Sequence, residues 1–347
     1  MRVAVTAAGL AHRTTGIERY ARGFLSAAMQ LPDVEVVACV PDWLADSLSL
    51  PEARTVRIPR LPAPLGVEVA LLPALRDVGA HVVHGLDLAI PRLRRAPWVQ
   101  TVHDDVLLAS SPSGLSRGGR WYYRPSLRAA LRSRRTTAVV TTSRSAAAAI
   151  ADHSRPGLPI HALGAGPSLA GDRARGNQED ASRRLAGPLR VVSVGTVEPR
   201  KDLPTMAATL TLLRTAGVDV RWQHVGRTGW GHQVGDLEYL GEVSDDRLQR
   251  AYAEADVFVS ASLAEGYDLA AAEARAHGLR GVLSDIPVHR EMHADWAALV
   301  PAQAPRKFAT ALRALGVEPP AKPHQAHARS WEQVAEGAAA VWRQAVQ

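Results

Sequence analysis

The chain has 347 residues with 46% hydrophobic content, a length that fits about two domains and a composition that supplies a core for each. Its one cysteine, Cys39, excludes a disulfide framework, and we expect it in a buried strand and a reducing compartment. A net charge of +7 and a pI near 10 indicate an acidic partner, but no helix-turn-helix, zinc-finger spacing or aromatic RNA platform accompanies the charge, which disfavours nucleic acid.

Two series of apolar strands alternate with helix-length stretches, which predicts parallel βαβ units. The first series has strands near residues 2–6, 34–40, 81–85, 97–103, 138–142 and 159–163. The second has strands near residues 190–194, 219–225, 238–240, 256–260, 281–284 and 298–300. A polar stretch at residues 169–188 separates them and predicts a linker. The pattern therefore predicts two consecutive open α/β sheets. Residues 329–347 form a last helix whose apolar face must pack on something.

Two carboxylates, Glu265 and Glu273, follow the predicted strand that ends at Ser260. Ligands of open α/β sheets bind outside the carboxyl ends of the strands. An ionised carboxylate only accepts hydrogen bonds, so this pair suits the hydroxyl groups of a sugar or a ribose. The alternative is a solvated helix start, where the helix dipole favours acidic residues.

Two cations, Arg200 and Lys201, occupy the equivalent place after the first strand of the second series. Opposite charges at about 4 Å interact by roughly 4 kcal/mol at an effective dielectric of 20, so the pair could stabilise a diphosphate. An isolated Arg-Lys pair is more often solvated surface. Together with the acidic loop and with VGRTGW at residues 225–230, it favours a nucleotide-sugar pocket.

Four blocks in the second half carry a family resemblance: VGTVEPRKDL at residues 194–203, GEVSDDRL at 241–248, ADVFVSASLAEG at 255–266 and GVLSDIP at 281–287. They resemble the donor-binding half of the retaining family-4 glycosyltransferases of the GT-B fold. Weaker similarities at GIERY (16–20), His84, VQTVHD (99–104) and VVTTS (139–143) extend the resemblance over nearly the whole chain. Asp268 stands where the family usually has glycine, and we expect its charge to repel a diphosphate.

The resemblance implies two Rossmann-like α/β domains facing a cleft. Residues 1–168 would bind the acceptor, residues 189–328 the nucleotide-sugar donor, and the helix at 329–347 would cross back to the first domain. The implied catalytic residues are Arg200 and Lys201 at the leaving diphosphate, Glu265 at the sugar hydroxyls, and His103 at the donor sugar and acceptor. The implied donor-binding residues are Gly16, Gly195, Thr196, Gly226, Asp268, Leu269 and Glu273, the last of them at the ribose.

The implied activity is transfer of a hexose, with GDP-mannose as one candidate donor, to a glycan, a lipid-linked or a small-molecule acceptor. Configuration would be retained through front-face displacement. Two alternatives stay open: a nucleotide-sugar epimerase of the same fold, and a non-catalytic protein that binds nucleotide sugars or anionic glycans. Because neither Asp-x-Asp nor His-Glu-x-x-His occurs, we expect no metal, and no bound cofactor besides the donor substrate.

Arginines recur at spacings of three and four between residues 117 and 135, next to Trp121, Tyr122 and Tyr123. On one helix they would form a basic stripe for an anionic membrane surface or a lipid-phosphate acceptor, although a solvated helix is the alternative. The residues are Arg117, Arg120, Arg124, Arg128, Arg132 and Arg135. The chain begins in a strand without a signal peptide and contains no apolar run of about 18 residues, so we expect a cytoplasmic location, peripheral to the inner membrane face if the stripe docks there.

Overall fold

The computed structural model describes residues 1–10, 15–59, 67–92, 94–109, 118–166, 187–316 and 329–347. The chain forms two compact units, and the first consists of Met1–Ser168 together with Arg329–Gln347. The second unit is Leu169–Ala328. The predicted linker at residues 169–188 lies almost wholly outside the described residues.

A seven-stranded parallel sheet forms the centre of the first unit, with the order β3-β2-β1-β4-β5-β6-β7. Its inner strands are buried on both faces, as is usual where helices cover a parallel sheet. Cys39 is fully buried in β2, as predicted. The strands are β1 (Arg2–Thr6), β2 (Glu35–Val40), β3 (Thr55–Arg57), β4 (Val82–Gly85), β5 (Trp98–Thr101), β6 (Thr136–Thr141) and β7 (Ile160–Ala162).

Helices connect these strands, and polar side chains begin several of them. Thr15 accepts a hydrogen bond from the backbone N–H of Glu18 at 3.2 Å, and Ser143 does the same for Ala146 at 3.1 Å. The helices are α1 (Gly16–Ala28), α2 (Asp42–Ser47), α3 (Leu72–Val78), α4 (Val106–Ala109), α5 (Arg124–Arg132) and α6 (Arg144–Ala151).

A six-stranded parallel sheet forms the second unit, with the order β10-β9-β8-β11-β12-β13. The chain adds β9 and β10 on one side of β8 and then returns to the other side, so β8 and β11 flank the point where the strand order reverses. The strands are β8 (Leu189–Val194), β9 (Val220–Val225), β10 (Glu238–Gly241), β11 (Val257–Ser260), β12 (Arg280–Ser284) and β13 (Ala297–Val300).

Both faces of this second sheet are covered by apolar side chains of helices. The helices are α7 (Leu203–Thr215), α8 (Asp245–Glu254), α9 (Leu269–Ala276), α10 (Pro287–His293) and α11 (Pro305–Gly316). The prediction of two parallel α/β domains is confirmed, and the predicted strands match those of the structure to within about two residues at most ends. Strand β3 was not predicted.

The terminal helix α12 (Trp331–Val346) packs on α1 and on β4, β5 and β6 of the first unit. The indole N–H of Trp342 donates a hydrogen bond to Nδ1 of His84 at 3.1 Å. The ring of Trp331 covers Gly23, where a Cβ would come within 2.1 Å of it, so α1 needs glycine at this position. The predicted apolar face of the last segment is thus buried.

The predicted single arginine stripe is wrong in one respect, because α5 ends at Arg132 and Arg135 is outside it. Arg124 and Arg128 both donate to the carbonyl of Leu108, at 2.8 and 3.5 Å. These two arginines therefore bind the carboxyl end of α4. Arg117 lies outside the described residues. No helix in the described part of the chain has the length and apolar character needed to cross a membrane.

Candidate active site

The loops that follow β8 and β11 meet at the carboxyl ends of these neighbouring strands. The backbone N–H of Leu263 donates to the carbonyl of Arg200 at 2.7 Å. The guanidinium of Arg200 donates in return to the carbonyl of Ala264 at 3.2 Å. The reversal of strand order therefore brings the basic loop and the acidic loop of the sequence together, at the position where open α/β sheets bind ligands.

Four charged side chains form an ion-pair cluster there. Glu265 contacts Nη1 of Arg200 through Oε2 at 2.6 Å and Nζ of Lys201 through Oε1 at 2.7 Å. Glu198 contacts Nε of Arg200 at 2.6 Å. The side chains of Glu198, Lys201 and Glu265 are each less than a tenth exposed. The cluster contains two positive and two negative groups, so its charges balance before any ligand arrives.

Burial and ion pairing have opposite effects on the pKa values in this cluster, and the effect of ion pairing is the larger. Burial alone would lower the pKa of Lys201, but Glu265 and Asp268 raise it above its ordinary value. Burial alone would raise the pKa of Glu265, but Arg200 and Lys201 lower it. The site therefore holds fixed charges at neutral pH, as electrostatic stabilisation of a charged leaving group requires.

Asp268 caps helix α9 and is hydrogen-bonded to a buried histidine. The residue adopts a left-handed backbone with φ of 62°, and its carboxylate accepts from the backbone N–H of Ala271 at 3.4 Å. Oδ2 also accepts from the hydroxyl of Ser260 at 2.8 Å and from Nε2 of His289 at 3.0 Å. The left-handed backbone explains how an aspartate can replace glycine here, since Asp tolerates this conformation better than most residues.

His289 is completely buried and links Asp268 to strand β12. Its Nδ1 contacts the carbonyl of Ser284 at 2.7 Å, and its Nε2 contacts Oδ2 of Asp268 at 3.0 Å. Burial would raise the pKa of Asp268, but Lys201 and His289 hold it well below its ordinary value. The Asp268 carboxylate therefore stays ionised next to Lys201, and its repulsion of a diphosphate stays a prediction.

Two glycines bring the strand ends close to Lys201. A Cβ at Gly226 would lie 1.9 Å from the carbonyl oxygen of Gly195, and a Cβ at Gly195 would lie 2.6 Å from Cε of Lys201. His224, which is buried, donates from Nε2 to the same carbonyl of Gly195 at 3.0 Å. Thr196 is half-buried beside them. The predicted residues Gly195, Thr196 and Gly226 thus lie in one region with the cations.

Glu273 lies farther along α9, as its fifth residue, and is buried. The hydroxyl of Tyr252 in α8 donates to its Oε2 at 2.9 Å. Leu269 is the first residue of α9 and is half-buried. The ribose role of Glu273 stays a prediction, and this hydrogen bond gives the carboxylate a fixed orientation for it.

The remaining predicted site residues, His103 and Gly16, belong to the first unit. Gly16 is the exposed first residue of α1. His103 follows β5, donates from Nε2 to the carbonyl of Leu86 at 3.1 Å, and packs edge-to-face on Tyr20 with ring centres 4.8 Å apart. Burial lowers the pKa of His103 to about 4, so the ring is neutral at pH 7 and Nδ1 keeps its lone pair as an acceptor.

Three residues of this region were not predicted as site residues: Glu198, His289 and Tyr252. Glu198 lies inside the block at 194–203, where only its cationic neighbours were considered. No local pattern marks His289, because its partner Asp268 is distant in sequence. Within the described residues, no group of three or more His, Cys, Asp or Glu side chains is arranged to hold a metal ion, and metal independence stays a prediction.

Comparison with known proteins agrees with this geometry. Residues 188–316, which contain the whole ion-pair cluster, match the family model of the glycosyl transferases group 1. The matched segment makes up most of the second unit. The resemblance to group 1 glycosyltransferases is thereby confirmed, whereas family 4 and retention of configuration stay predictions.

Two relatives from Escherichia coli are mannosyltransferases by name. The serotype-specific mannosyltransferase WbdA is 31% identical over 140 residues, which cover 37% of this chain and 17% of that protein. The O-antigen chain mannosyltransferase B is 28% identical over 240 residues, which cover 64% of this chain and 61% of that protein. The chain thus spans less than two thirds of the length of either relative.

Solved structures share the whole fold. Anabaena Alr3699/HepE, solved in complex with UDP and glucose, has a TM-score of 0.67 at 16% identity and covers 100% of this chain and 96% of its own. WaaG, a glycosyltransferase involved in lipopolysaccharide biosynthesis, has a TM-score of 0.62 at 14% identity, with coverage of 99% and 98%. The chain therefore has the GT-B fold, with two parallel α/β domains.

Proposed function

We propose that the chain is a retaining hexosyltransferase that uses a nucleotide-diphosphate sugar, GDP-mannose, as donor and a glycan or lipid-linked acceptor. The observation that carries this proposal is the buried cluster of Arg200, Lys201 and Glu265 at the carboxyl ends of β8 and β11. It lies within the group 1 domain. The mannosyltransferase relatives support mannose as the sugar and polysaccharide synthesis as the process.

The chemistry assigns each charged group a task. The bond between the anomeric carbon and the donor phosphate oxygen breaks, and its electron pair leaves with the nucleoside diphosphate. The acceptor oxygen bonds to the anomeric carbon on the same face, and its proton goes to the leaving phosphate. Lys201 carries three N–H groups, and its ion pair with Glu265 uses one, so the ammonium can also donate to a phosphate. Fixed donors of this kind stabilise charge that grows in the transition state.

Glu265 has a double role in this proposal. Its carboxylate holds Arg200 and Lys201 next to each other although the two cations repel, and it is the group proposed to accept from donor sugar hydroxyls. His103, neutral at pH 7, would accept a hydrogen bond from a sugar hydroxyl through Nδ1. In this proposal Arg200 and Lys201 meet the diphosphate in place of a metal ion.

The test uses the full chain, GDP-mannose and a glycolipid or glycan acceptor extract in the presence of excess chelator. We expect nucleoside diphosphate release that requires acceptor, and a product whose one-bond C1–H1 coupling shows the anomeric configuration of the donor. UDP-glucose serves as the competing donor. Inverted product would refute retention, and a strict need for added divalent ions would refute metal independence.

Two other outcomes would replace the proposal. Release of free nucleotide together with an altered free sugar, without acceptor, would identify an epimerase. Donor binding by isothermal titration without any turnover would identify a non-catalytic binding protein. Higher turnover with UDP-glucose would keep the transferase activity but change the donor.

A further inference from the structure

A cavity of about 340 Å³ lies in the first unit, away from the strand ends that carry His103. Val83 of β4 and Trp98 of β5 line it, and these two residues are register partners at the amino ends of their strands. Leu72 and Leu75 of α3 complete an apolar wall. The carboxyl ends of the same strands are at the opposite edge of the sheet, so the cavity is separate from the predicted acceptor region of this unit.

Three arginines line the cavity, and no carboxylate is among its described lining residues. Arg76 comes from the last turn of α3, and Arg94 and Arg95 come from the segment between β4 and β5. Glu68 is the acidic group that acts on Arg94, and its carboxylate already accepts the backbone N–H of Arg92 at 2.8 Å. The cavity is therefore positively charged on one side and apolar on the other.

The guanidinium of Arg94 has a buried N–H group without an acceptor in the described part of the chain. Its guanidinium lies 5.8 Å from the ring centre of Trp98, and Nη1 donates to the carbonyl of Pro91 at 2.8 Å. Its Nε is buried and has no hydrogen-bond acceptor among the described residues. Burial lowers the pKa of Arg94, which means that the charged guanidinium is incompletely compensated there. A buried donor without an acceptor is rare in native structures and calls for an explanation.

We propose that this cavity binds an amphipathic anion, with a carboxylate or phosphate head at Arg94, Arg76 and Arg95 and an apolar body against Leu72, Leu75 and Trp98. A neutral apolar molecule would leave the guanidinium of Arg94 without a counterion. A small inorganic anion would leave the apolar side chains of the cavity exposed to water. The volume is within the range of ligand pockets, about 300–1,000 Å³. It corresponds to roughly eleven water volumes of about 30 Å³ each, which suits a head group with a chain of about six carbons.

Isothermal titration of the full chain with hexyl phosphate tests the proposal, with inorganic phosphate and hexanol as the two half-ligands. We expect hexyl phosphate to bind at least about tenfold more tightly than either half. Equal binding of inorganic phosphate would reduce the site to surface charge and overturn the proposal, as would equal binding of hexanol. Flotation with vesicles that contain an anionic lipid distinguishes the source of the ligand, because a soluble anion competes with vesicles only if the lipid head enters this cavity.

Two variants keep the test decisive. Arg94→Gln removes the charge and keeps a similar volume, and we expect it to weaken hexyl phosphate binding by about tenfold or more, the effect of losing a charge-assisted hydrogen bond. Leu75→Trp fills part of the cavity while all three arginines are kept, and it should abolish binding. Arg313→Gln, at an exposed position on α11, is the matched control and should bind like the parent. Unchanged binding in both cavity variants would overturn the proposal.

Discussion

Lys201 is more buried than Arg200, and its ion pair with Glu265 raises its pKa and keeps it charged. We expect Lys201→Ala to lower turnover by about 100-fold or more, because it removes a fixed donor at the leaving group. The same variant should also destabilise the second unit, because Glu265 keeps only Arg200 as a partner and the cluster gains an excess negative charge. The loss should stay below the roughly 3–5 kcal/mol that is typical when a buried charge loses its only partner. Steady-state kinetics and urea unfolding measure the two effects separately.

The double variant Lys201→Ala/Glu265→Gln separates catalysis from stability. Removing both charges should recover part of the lost stability, since no uncompensated charge remains, while turnover stays low. Lys307→Ala, an exposed lysine on α11, is the control and should change neither quantity. Near-parental turnover in the Lys201 single variant would contradict the assignment of this pocket.

The pair of Asp268 and His289 is a second residue-scale test. Both side chains are almost completely buried and 3.0 Å apart, so Asp268→Asn and His289→Asn should be strongly non-additive in the free energy of unfolding. Residues in direct contact typically couple by about 0.5–3 kcal/mol. The exposed pair of Asp285 and Arg290 gives the matched comparison, where solvent screening should leave a much weaker coupling. Equal coupling in the two cycles would show that the buried pair does not support the loop.

At the scale of elements, the approach of two strand ends depends on Gly226. We expect Gly226→Ala to destabilise the second unit and to weaken nucleoside diphosphate binding, because its Cβ would lie 1.9 Å from a backbone oxygen that cannot yield without moving the loop. Gly217→Ala is the control, since φ is +76° and no atom lies within 4 Å of its Cβ. That control should cost only about 1–2 kcal/mol of backbone strain and leave binding unchanged. Similar losses of stability and binding in the two variants would contradict a steric role.

Most elements were predictable because buried parallel strands leave a plain signal in the sequence. Runs such as VVSV in β8 are apolar on both faces, and Pro204 with Asp202 marks the start of α7, where the structure has the cap. β3 escaped prediction because three half-exposed residues, Thr55–Arg57, are too few to show a period. The arginine spacing did not indicate the end of α5, because it continues past Arg132, where the backbone leaves the helix.

The site was predictable in its position and only partly in its contacts. The rule that ligands bind at carboxyl ends places Arg200, Lys201 and Glu265 near one another once the strands are known. Which side chain pairs with which depends on distances that no local pattern encodes, so the direct ion pairs of Glu265 with both cations were not foreseen. The bond between His289 and Asp268 joins α10 to the cap of α9, and these elements meet because β11 and β12 are neighbours.

At the scale of the whole molecule, each unit contains buried histidines whose pKa is lowered, so their rings stay neutral at pH 7. In the first unit, burial lowers the pKa of His84 from 6.5 to about 3, and in the second it lowers the pKa of His224 to about 4. The ring of His84 is held between Thr101 and Trp342, which ties the terminal helix α12 to the sheet. Protonating these rings therefore opposes the packing of both units.

We accordingly predict that the melting temperature falls as pH is lowered from about 6.5 towards 4. In this interval the unfolded chain binds protons that the folded chain excludes at His84, His103, His224 and His293, whose pKa values lie at about 3, 4, 4 and 4. Stability must then decrease with acidification. Asp87 acts in the opposite direction, since burial raises its pKa to about 6 and the folded state keeps its proton longer, but it is one group against four.

Differential scanning calorimetry between pH 7 and 4.5, in buffers of different ionisation enthalpy, measures both the melting temperature and the protons taken up on unfolding. Near pH 5 we expect net proton uptake on unfolding. His84→Gln removes one titrating ring and should reduce that uptake by about one proton. A melting temperature that stays constant or rises on acidification would mean that the buried rings accept protons without loss of packing.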